Sequence, residues 1–346
     1  MKPEFTLQQD VSLHSLNSFG INARAHRFVR IENLAQLQAL RTQILADTLL
    51  GSLPRFVLGG GSNVILSDRL PHLVIQMAIM GREMVCETDE NYIIRSGAGE
   101  NWHAFVLWTL TQGYGGLENL SLIPGTVGAS PIQNIGAYGL EMQDYFYSLT
   151  AFDFVSGELK TFLKQDCAFG YRDSIFKSGE QDRYVIIDVS FALPKQWQPR
   201  LSYGDVAKFL HDRDIATPAP IDVSNAIIAI RQSKLPDPAV IGNAGSFFKN
   251  PIVPAELRNQ LLQQYPDCVS YPQTNGDFKL AAGWLIDQCG WKGHSGETVG
   301  VYEKQALVLI NLGGATGAAV RALAQEIQAD VFKKFSVNLE VEPVFV

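Results

Sequence analysis

The stretch LIPGTVGASPIQNIGAYG, residues 122–139, narrows the folds open to this chain more than any other. Its glycines and prolines break a helix, and it holds no apolar run long enough for a strand. The chain must cross it as an irregular loop. Its small residues and its amides, Gln133 and Asn134, suit a flat hydrogen-bonding ligand lying against backbone. A second segment, LGGGSN (58–63), has the same character. Successive N–H groups with no Cβ in the way, the Ser62 hydroxyl and the Asn63 amide form a nest for a phosphate or pyrophosphate; a bare tight turn explains them equally well. No Gly-Lys-Ser/Thr follows and no GxGxxG opens a helix, so this is neither a P-loop nor a dinucleotide fingerprint.

Elements of both kinds surround these loops. ENLAQLQALRTQIL places Leu34, Leu37, Leu40 and Ile44 at helical spacing, and RFVLGGGSNVILS is two apolar runs about a glycine turn. YIIRSGAGENWHAFVLWTLTQG reads as a strand, a turn and a helix ending at Gly113. Short β-prone runs such as LTAFDFV and RYVIIDVSFAL continue to about Leu193. The Pro-rich ATPAPI (216–221) reads as a linker. Beyond it DVSNAIIAIRQ, KLAAGWLIDQC and TGAAVRALAQEIQADVFKKF are expected helices, and ALVLIN a buried strand. In the closing VNLEVEPVFV, Val337, Leu339 and Val341 alternate with Asn338, Glu340 and Glu342, which predicts a strand with both glutamates on one side. Without regular βαβ alternation, an α+β chain is expected, not a Rossmann domain.

At 346 residues the chain needs two or three cores. With 46% hydrophobic and 18% charged residues, and a net charge of −7 without a basic block, nucleic acid and anionic membrane surfaces are not expected partners. No apolar run approaches the length of a membrane span, and MKPEFTLQQD has no secretory h-region. Cys86, Cys167, Cys268 and Cys289 form no CxxC pair, so neither a metal site nor a disulfide framework is expected; idle thiols in a reducing cytoplasm fit better.

One serine stands out. In AVIGNAGSFFKNP (239–251), Ser246 sits behind two glycines and against two phenylalanines, with Lys249 and Asn250 just beyond. Local sequence favours a turn whose serine caps a short helix. A hydrolase nucleophile is not indicated, because G-x-S-x-G is missing and neither His211 nor His294 lies in a suggestive setting.

Ten segments in order resemble the UDP-N-acetylenolpyruvoylglucosamine reductase family. They are NSFGI (17–21), LGGGSNVI (58–65), GAGENW (97–102), GLENLSLIPGTVGASPIQNIGAYG (116–139), FGYRDSIFK (169–177), LSYGD (201–205), RQSKLPDP (231–238), GNAGSFFKNP (242–251), KLAAGWLIDQCG (279–290) and KQALVLIN (304–311). The resemblance implies an α+β fold: a vanillyl-alcohol-oxidase-type (PCMH-like) FAD-binding domain of two subdomains, 1–78 and 79–216, and a C-terminal α/β substrate domain, 217–346, whose last strand returns to the first subdomain. It implies non-covalent FAD, with Gly59, Gly60, Gly61, Ser62 and Asn63 at the pyrophosphate, Ser130, Gln133, Asn134, Ile135 and Gly136 lining the flavin, and Arg231 also at the cofactor. His26 and His103 are then ordinary residues and not flavin attachment points.

The implied reaction, in peptidoglycan precursor synthesis, uses NADPH to reduce the enolpyruvyl ether of UDP-N-acetylglucosamine to the lactyl ether of UDP-N-acetylmuramate. A chain acting as a monomer in the cytoplasm is expected. Arg172 would pair with the substrate carboxylate in bidentate fashion, although an ion pair with Asp173 is its local alternative. Glu342, held protonated, would hydrogen-bond the charge developing at C2; because LEVEPVFV stands where LEPEV is expected, Glu340 stays open for that role. Ser246 would give the proton to C2, with water or Lys249 supporting the oxyanion left behind. Tyr203 and Tyr271 would pack on the sugar nucleotide, Tyr271 marking a branch with a tyrosine lid, while Lys234, Asn250 and Gln305 would contact diphosphate or uridine. Two rivals keep the fold: an oxidase passing electrons from an alcohol to oxygen, and a non-catalytic nucleotide-sugar sensor. SFFKNP, YRDS and the terminal glutamate argue against the oxidase, and no damaged catalytic position supports the sensor.

Overall fold

The apolar run RYVIIDVSFAL becomes the strand Tyr184–Pro194, which is buried on both faces, and this explains why it lacks the alternation of a half-exposed strand. In this computed structural model, which describes residues 5–179 and 183–346, that strand is central to a five-stranded antiparallel sheet. The order across it is Leu159–Leu163, Phe146–Asp153, Tyr184–Pro194, Asn91–Gly97 and Arg82–Glu87. Phe191 stands opposite Ile94 and Val189 opposite Ser96. On one face Ile186, Val189, Phe191 and Leu193 pack with Trp102, Phe105 and Val106 of the helix Trp102–Thr111. On the other, Val185 and Ile187 pack with Leu37, Leu40 and Ile44 of the helix Leu34–Ala46 and with a four-stranded sheet. That sheet runs Gln8–Ser12, Arg24–Ile31, Arg69–Met77, Arg55–Leu58, its last pair parallel.

The described chain divides into two compact units. The first comprises residues up to Val11, Ala25–Gly61 and Pro71–Ser233; the second, Ser12–Arg24, Ser62–Leu70 and Lys234–Val346. The Pro-rich segment 216–221 joins two helices of the first unit, Gly204–His211 and Pro220–Lys234, and does not separate the units. Pro220 is the first residue of its helix, where proline's fixed φ is pre-set and its missing N–H costs nothing.

In the second unit the expected strand Val308–Asn311 lies between Asn243–Ser246 and Val299–Val301, all antiparallel. A smaller sheet joins Ile252–Val253, Phe278–Leu280 and Ser270–Pro272. The expected helices form as Ala282–Gln288 and Gly317–Phe335, the latter capped by Thr316, whose Oγ1 accepts the Ala319 N–H at 3.2 Å. The chain end differs from expectation. Val337 and Leu339 are buried and Asn338 and Glu340 exposed, as the alternation predicts, but the only ladder there is a single bridge, Phe248 to Val341. Pro343 then interrupts, and only Val344–Phe345 forms a strand, parallel to Val64–Ile65. Among the described residues no helix is long and apolar enough to cross a membrane.

Phe191 is fully buried, with ring centroids 5.8 Å from Trp102 and 5.5 Å from Phe105. Replacing it with alanine is expected to cost roughly 3–5 kcal/mol of unfolding free energy, read as a lower denaturant midpoint; a loss below about 1 kcal/mol would place the first unit's core elsewhere.

Candidate active site

In the first unit the two glycine-rich segments meet. A Cβ on Gly60 would lie 2.8 Å from the Gly125 Cα, and one on Gly59 2.6 Å from the Thr126 hydroxyl oxygen. The turn therefore rests main chain on main chain, a contact closed to any side chain. The loop is in turn sewn to the segment before the Trp102–Thr111 helix. Trp102 N donates to Gly125 O (3.0 Å), Val127 N to Glu100 O (2.9 Å) and Gly128 N to Ala98 O (3.0 Å). Asn101, the helix cap, accepts the Ala104 N–H at 2.9 Å.

Further along, Ser130 is buried, its hydroxyl donating to Val127 O at 2.7 Å. Asn134 is a structural hub: Nδ2 donates to Glu141 Oε2 (2.8 Å) and Gly170 O (3.0 Å), and Oδ1 accepts the Gln143 N–H (3.1 Å). Ile135 packs on the main core of this unit, and Gln133 is bonded within the structure. Gly136 O accepts Nη2 of Arg172 at 2.6 Å. The Asp173 carboxylate, the local alternative partner, instead accepts Ser174 N at 2.9 Å and the Ser178 hydroxyl. Arg172 thus reaches back to the loop. Leu122, Asn134, Tyr138 and Arg172 all take positive φ, between 43° and 59°, without being glycine. Such a cluster of disfavoured backbone marks a functional segment more often than a connector. Tyr203 is 45% exposed, its ring edge-on to Tyr138 at 5.1 Å.

Arg231 supplies the test for an anionic cofactor. Its Nε is sealed from solvent with no hydrogen-bond partner, and burial pulls the guanidinium below its ordinary pKa. A buried, unsatisfied cationic donor is costly until an anion meets it. The pyrophosphate of FAD suits both this donor and the side-chain-free turn at Gly59–Gly61. Burial, and then the Arg231 charge, lower the pKa of His103 and keep it neutral.

In the second unit the serine's setting answers the question its sequence raises. Ser246 ends the strand Asn243–Ser246, exposed, after a register break and after Gly245 at φ 69°. It caps no helix. Behind it a Cβ on Gly242 would strike Phe19 O at 2.2 Å. Ser18 brackets the strand, its carbonyl accepting Asn243 N (3.0 Å) and its hydroxyl donating to Asn243 O (2.7 Å). Asn311 Nδ2 donates to Phe19 O at 2.9 Å. The NSFGI motif, which had no evident task in the sequence, is thus the brace of the serine strand. Beyond Ser246, Phe247 and Phe248 are fully buried.

The last residues pair antiparallel with this segment: Glu342 N donates to Phe247 O and Lys249 N to Glu340 O, each at 2.9 Å. Glu340 is 70% exposed at its side chain and pairs with Lys249 Nζ, which engages one of that ammonium's three donors. Glu342 is half-buried, and its carbonyl accepts Asn63 Nδ2 at 3.4 Å. Asn250 Oδ1 accepts the Ala282 N–H (2.9 Å) and Gln305 Oε1 the Leu307 N–H (3.3 Å), so each amide has its Nδ2 or Nε2 donors to offer a ligand. Tyr271 is 49% exposed opposite Lys279, and Lys234 and Ser62 are bonded within the structure. Cys167 is buried with its thiol pushed up to about 12, and no group of His, Cys, Asp or Glu among the described residues could hold a metal ion.

Comparison with known proteins gives the same answer from outside. The family profile described as UDP-N-acetylenolpyruvoylglucosamine reductase, C-terminal domain, matches residues 237–346, and an FAD binding domain profile matches 26–162. A UDP-N-acetylenolpyruvoylglucosamine reductase of Burkholderia cenocepacia (strain HI2424) is 54% identical over 341 residues, 98% of this chain and 97% of that protein. The chain belongs to the UDP-N-acetylenolpyruvoylglucosamine reductase family. The protein of the same name from Burkholderia mallei (strain NCTC 10229) is 53% identical over the same length. The solved reductase of Thermus caldophilus shares the fold, with a TM-score of 0.68 at 21% identity and 99% coverage of both chains. As a member of this family with its FAD-binding domain, the chain is a flavin-dependent oxidoreductase of peptidoglycan synthesis and takes FAD as cofactor.

Sequence reasoning passed over three residues. His103 was set aside as ordinary, Trp102 had no signal beyond lying next to a glycine turn, and Ser224 had none; the three bond to Leu122, Leu120 and Ser121 respectively.

Two outcomes follow. Gly60→Ala is expected to cost about 1–3 kcal/mol through forced displacement of the turn and to release FAD more readily, measured by thermal unfolding and by flavin content after gel filtration. Glu340→Gln removes only a mostly exposed ion pair, so it should cost no more than about 1 kcal/mol and leave flavin reoxidation near the wild-type rate, whereas Glu342→Gln should slow it. The reverse pattern would give Glu340 the acid role.

Proposed function

We propose that this chain reduces the enolpyruvyl ether of UDP-N-acetylglucosamine to the lactyl ether of UDP-N-acetylmuramate at the expense of NADPH, in the cytoplasm and as a monomer. Identity of 54% across 98% of the chain to relatives named for that reduction carries the reading, and the exposed Ser246 beside two buried phenylalanines supports it. The three-part division at 1–78, 79–216 and 217–346, with the last strand returning to the first part, belongs to the same reading.

FAD, when bound, would supply hydride chemistry between NADPH and the terminal vinyl carbon of the substrate. The chain must then manage negative charge at C2 and its carboxylate, and provide one proton. Arg172 pairs with the carboxylate, its guanidinium already oriented by Gly136 O. Glu342, protonated, donates a hydrogen bond to the growing charge. Ser246 Oγ gives its proton to C2. An enediolate is basic enough to take a proton from a hydroxyl, so no nucleophilic serine chemistry is needed. Ser62, Asn63, Ser130, Gln133, Asn134, Ile135 and Gly136 hold the flavin with Gly59–Gly61 and Arg231. Asn250 and Gln305 present amide donors, and Lys234 an ammonium, to the diphosphate or uridine, which accept hydrogen bonds. Tyr203 and Tyr271, both about half exposed, cover the sugar nucleotide, Tyr271 as a lid.

Separating the half-reactions of Ser246→Ala by stopped flow tests the assignment. NADPH should bleach the flavin at nearly the wild-type rate, while reoxidation by substrate slows by about 10²–10⁴. Equal loss in both halves, or in neither, would remove Ser246 from the proton step.

A further inference from the structure

Three consecutive residues of the loop that meets the glycine turn are each held from outside it. Leu120 O accepts the Trp102 indole N–H at 2.9 Å. The Ser121 and Ser224 hydroxyls share a bond of 2.8 Å, both buried. Leu122 N donates to Nδ1 of His103 at 2.9 Å. Trp102 and His103 begin the helix Trp102–Thr111, and Ser224 lies two turns ahead of Arg231 on the helix Pro220–Lys234. Leu122 is the critical member. At φ 59° it stands in the left-handed region that a leucine disfavours, and its N–H is aimed at the ring. Three residues later Gly125 lies under Gly60.

We propose that His103 is a positioning residue for FAD: with its proton on Nε2, its Nδ1 accepts the Leu122 N–H and fixes the turn that seats Gly125 and Thr126 against Gly59 and Gly60. An imidazolium has no acceptor, so the ring must stay neutral. Burial, the Arg231 charge and the positive end of its own helix all keep it so. The ring is therefore more than core filling; it is the acceptor for one strained backbone donor.

This inference rests on the loop's assignment to FAD. The holoenzymes His103→Asn, His103→Gln and His103→Leu test it through release of flavin, followed by the fluorescence of free FAD on dilution. Asparagine places an oxygen near the position of Nδ1; glutamine reaches past it, and leucine offers none. Asparagine is expected to hold FAD within about threefold of wild type, and glutamine and leucine to release it about tenfold more readily or worse. Equal loss in asparagine and leucine, or wild-type retention in all three, overturns the proposal. Gln133→Ala, measured alongside, separates the failures. If it shifts the flavin absorption spectrum while the His103 variants bind normally, only the histidine inference falls. If no variant moves spectrum or affinity, the loop's assignment falls with it.

Discussion

Main chain pressed on main chain at Gly60 and Gly125 is the contact around which the first unit's two glycine-rich segments are arranged. It excludes a side chain at Gly60, so the turn cannot be held by side-chain packing at that point. Holding must come from hydrogen bonds supplied from outside, and it does: from the backbone of Ala98, Glu100 and Trp102, and from the side chains of Trp102, His103 and Ser224. The helix Trp102–Thr111 can serve as the anchor because its other face lies in a buried core, against Phe191 and its neighbours. The sealed Nε of Arg231, at the end of a chain of buried residues on the helix Pro220–Lys234, leaves this unit short of one anion.

The second unit solves a different problem, that of presenting a hydroxyl beside apolar surface. Ser246 is exposed while the next two residues are fully buried, which requires the chain to turn sharply inward after it. The NSFGI segment fixes the strand before the serine, and the chain end fixes the strand after it through Phe248 and Val341. The same pairing sorts the two glutamates by burial. Glu340 is drawn to Lys249 at the surface, and Glu342 stays half-buried beside the Phe247 backbone. A carboxylic acid asked to donate a hydrogen bond is better served by the drier of the two positions.

Periodicity and capping made most elements legible. The helices Leu34–Ala46, Trp102–Thr111 and Gly317–Phe335 announce themselves by spacing, and the second also by the glycine stop at Gly113. The end of the chain was less legible, because the alternation of VNLEVE describes an extended segment and cannot say whether it finds a ladder; Pro343 ensures that it finds almost none. The proline-rich segment misled because proline both breaks a helix and begins one. Local sequence also made Ser246 a cap and could not show the bond from Arg172 to Gly136, since the partners involved, Gly136 and Phe19 among them, lie far away in sequence. His103 was invisible for the same reason: only the fold brings a strained leucine N–H to its ring.

In the proposed reaction reduced flavin gives its electrons to an enolpyruvyl ether and not to oxygen. The direct measurement is anaerobic: reduce the yellow holoenzyme with NADPH, remove excess nucleotide, add UDP-N-acetylglucosamine enolpyruvate, and follow flavin absorbance. The yellow is expected to return before any oxygen is admitted. A flavin that stays bleached until air enters would contradict it and point to an oxidase built on the same fold.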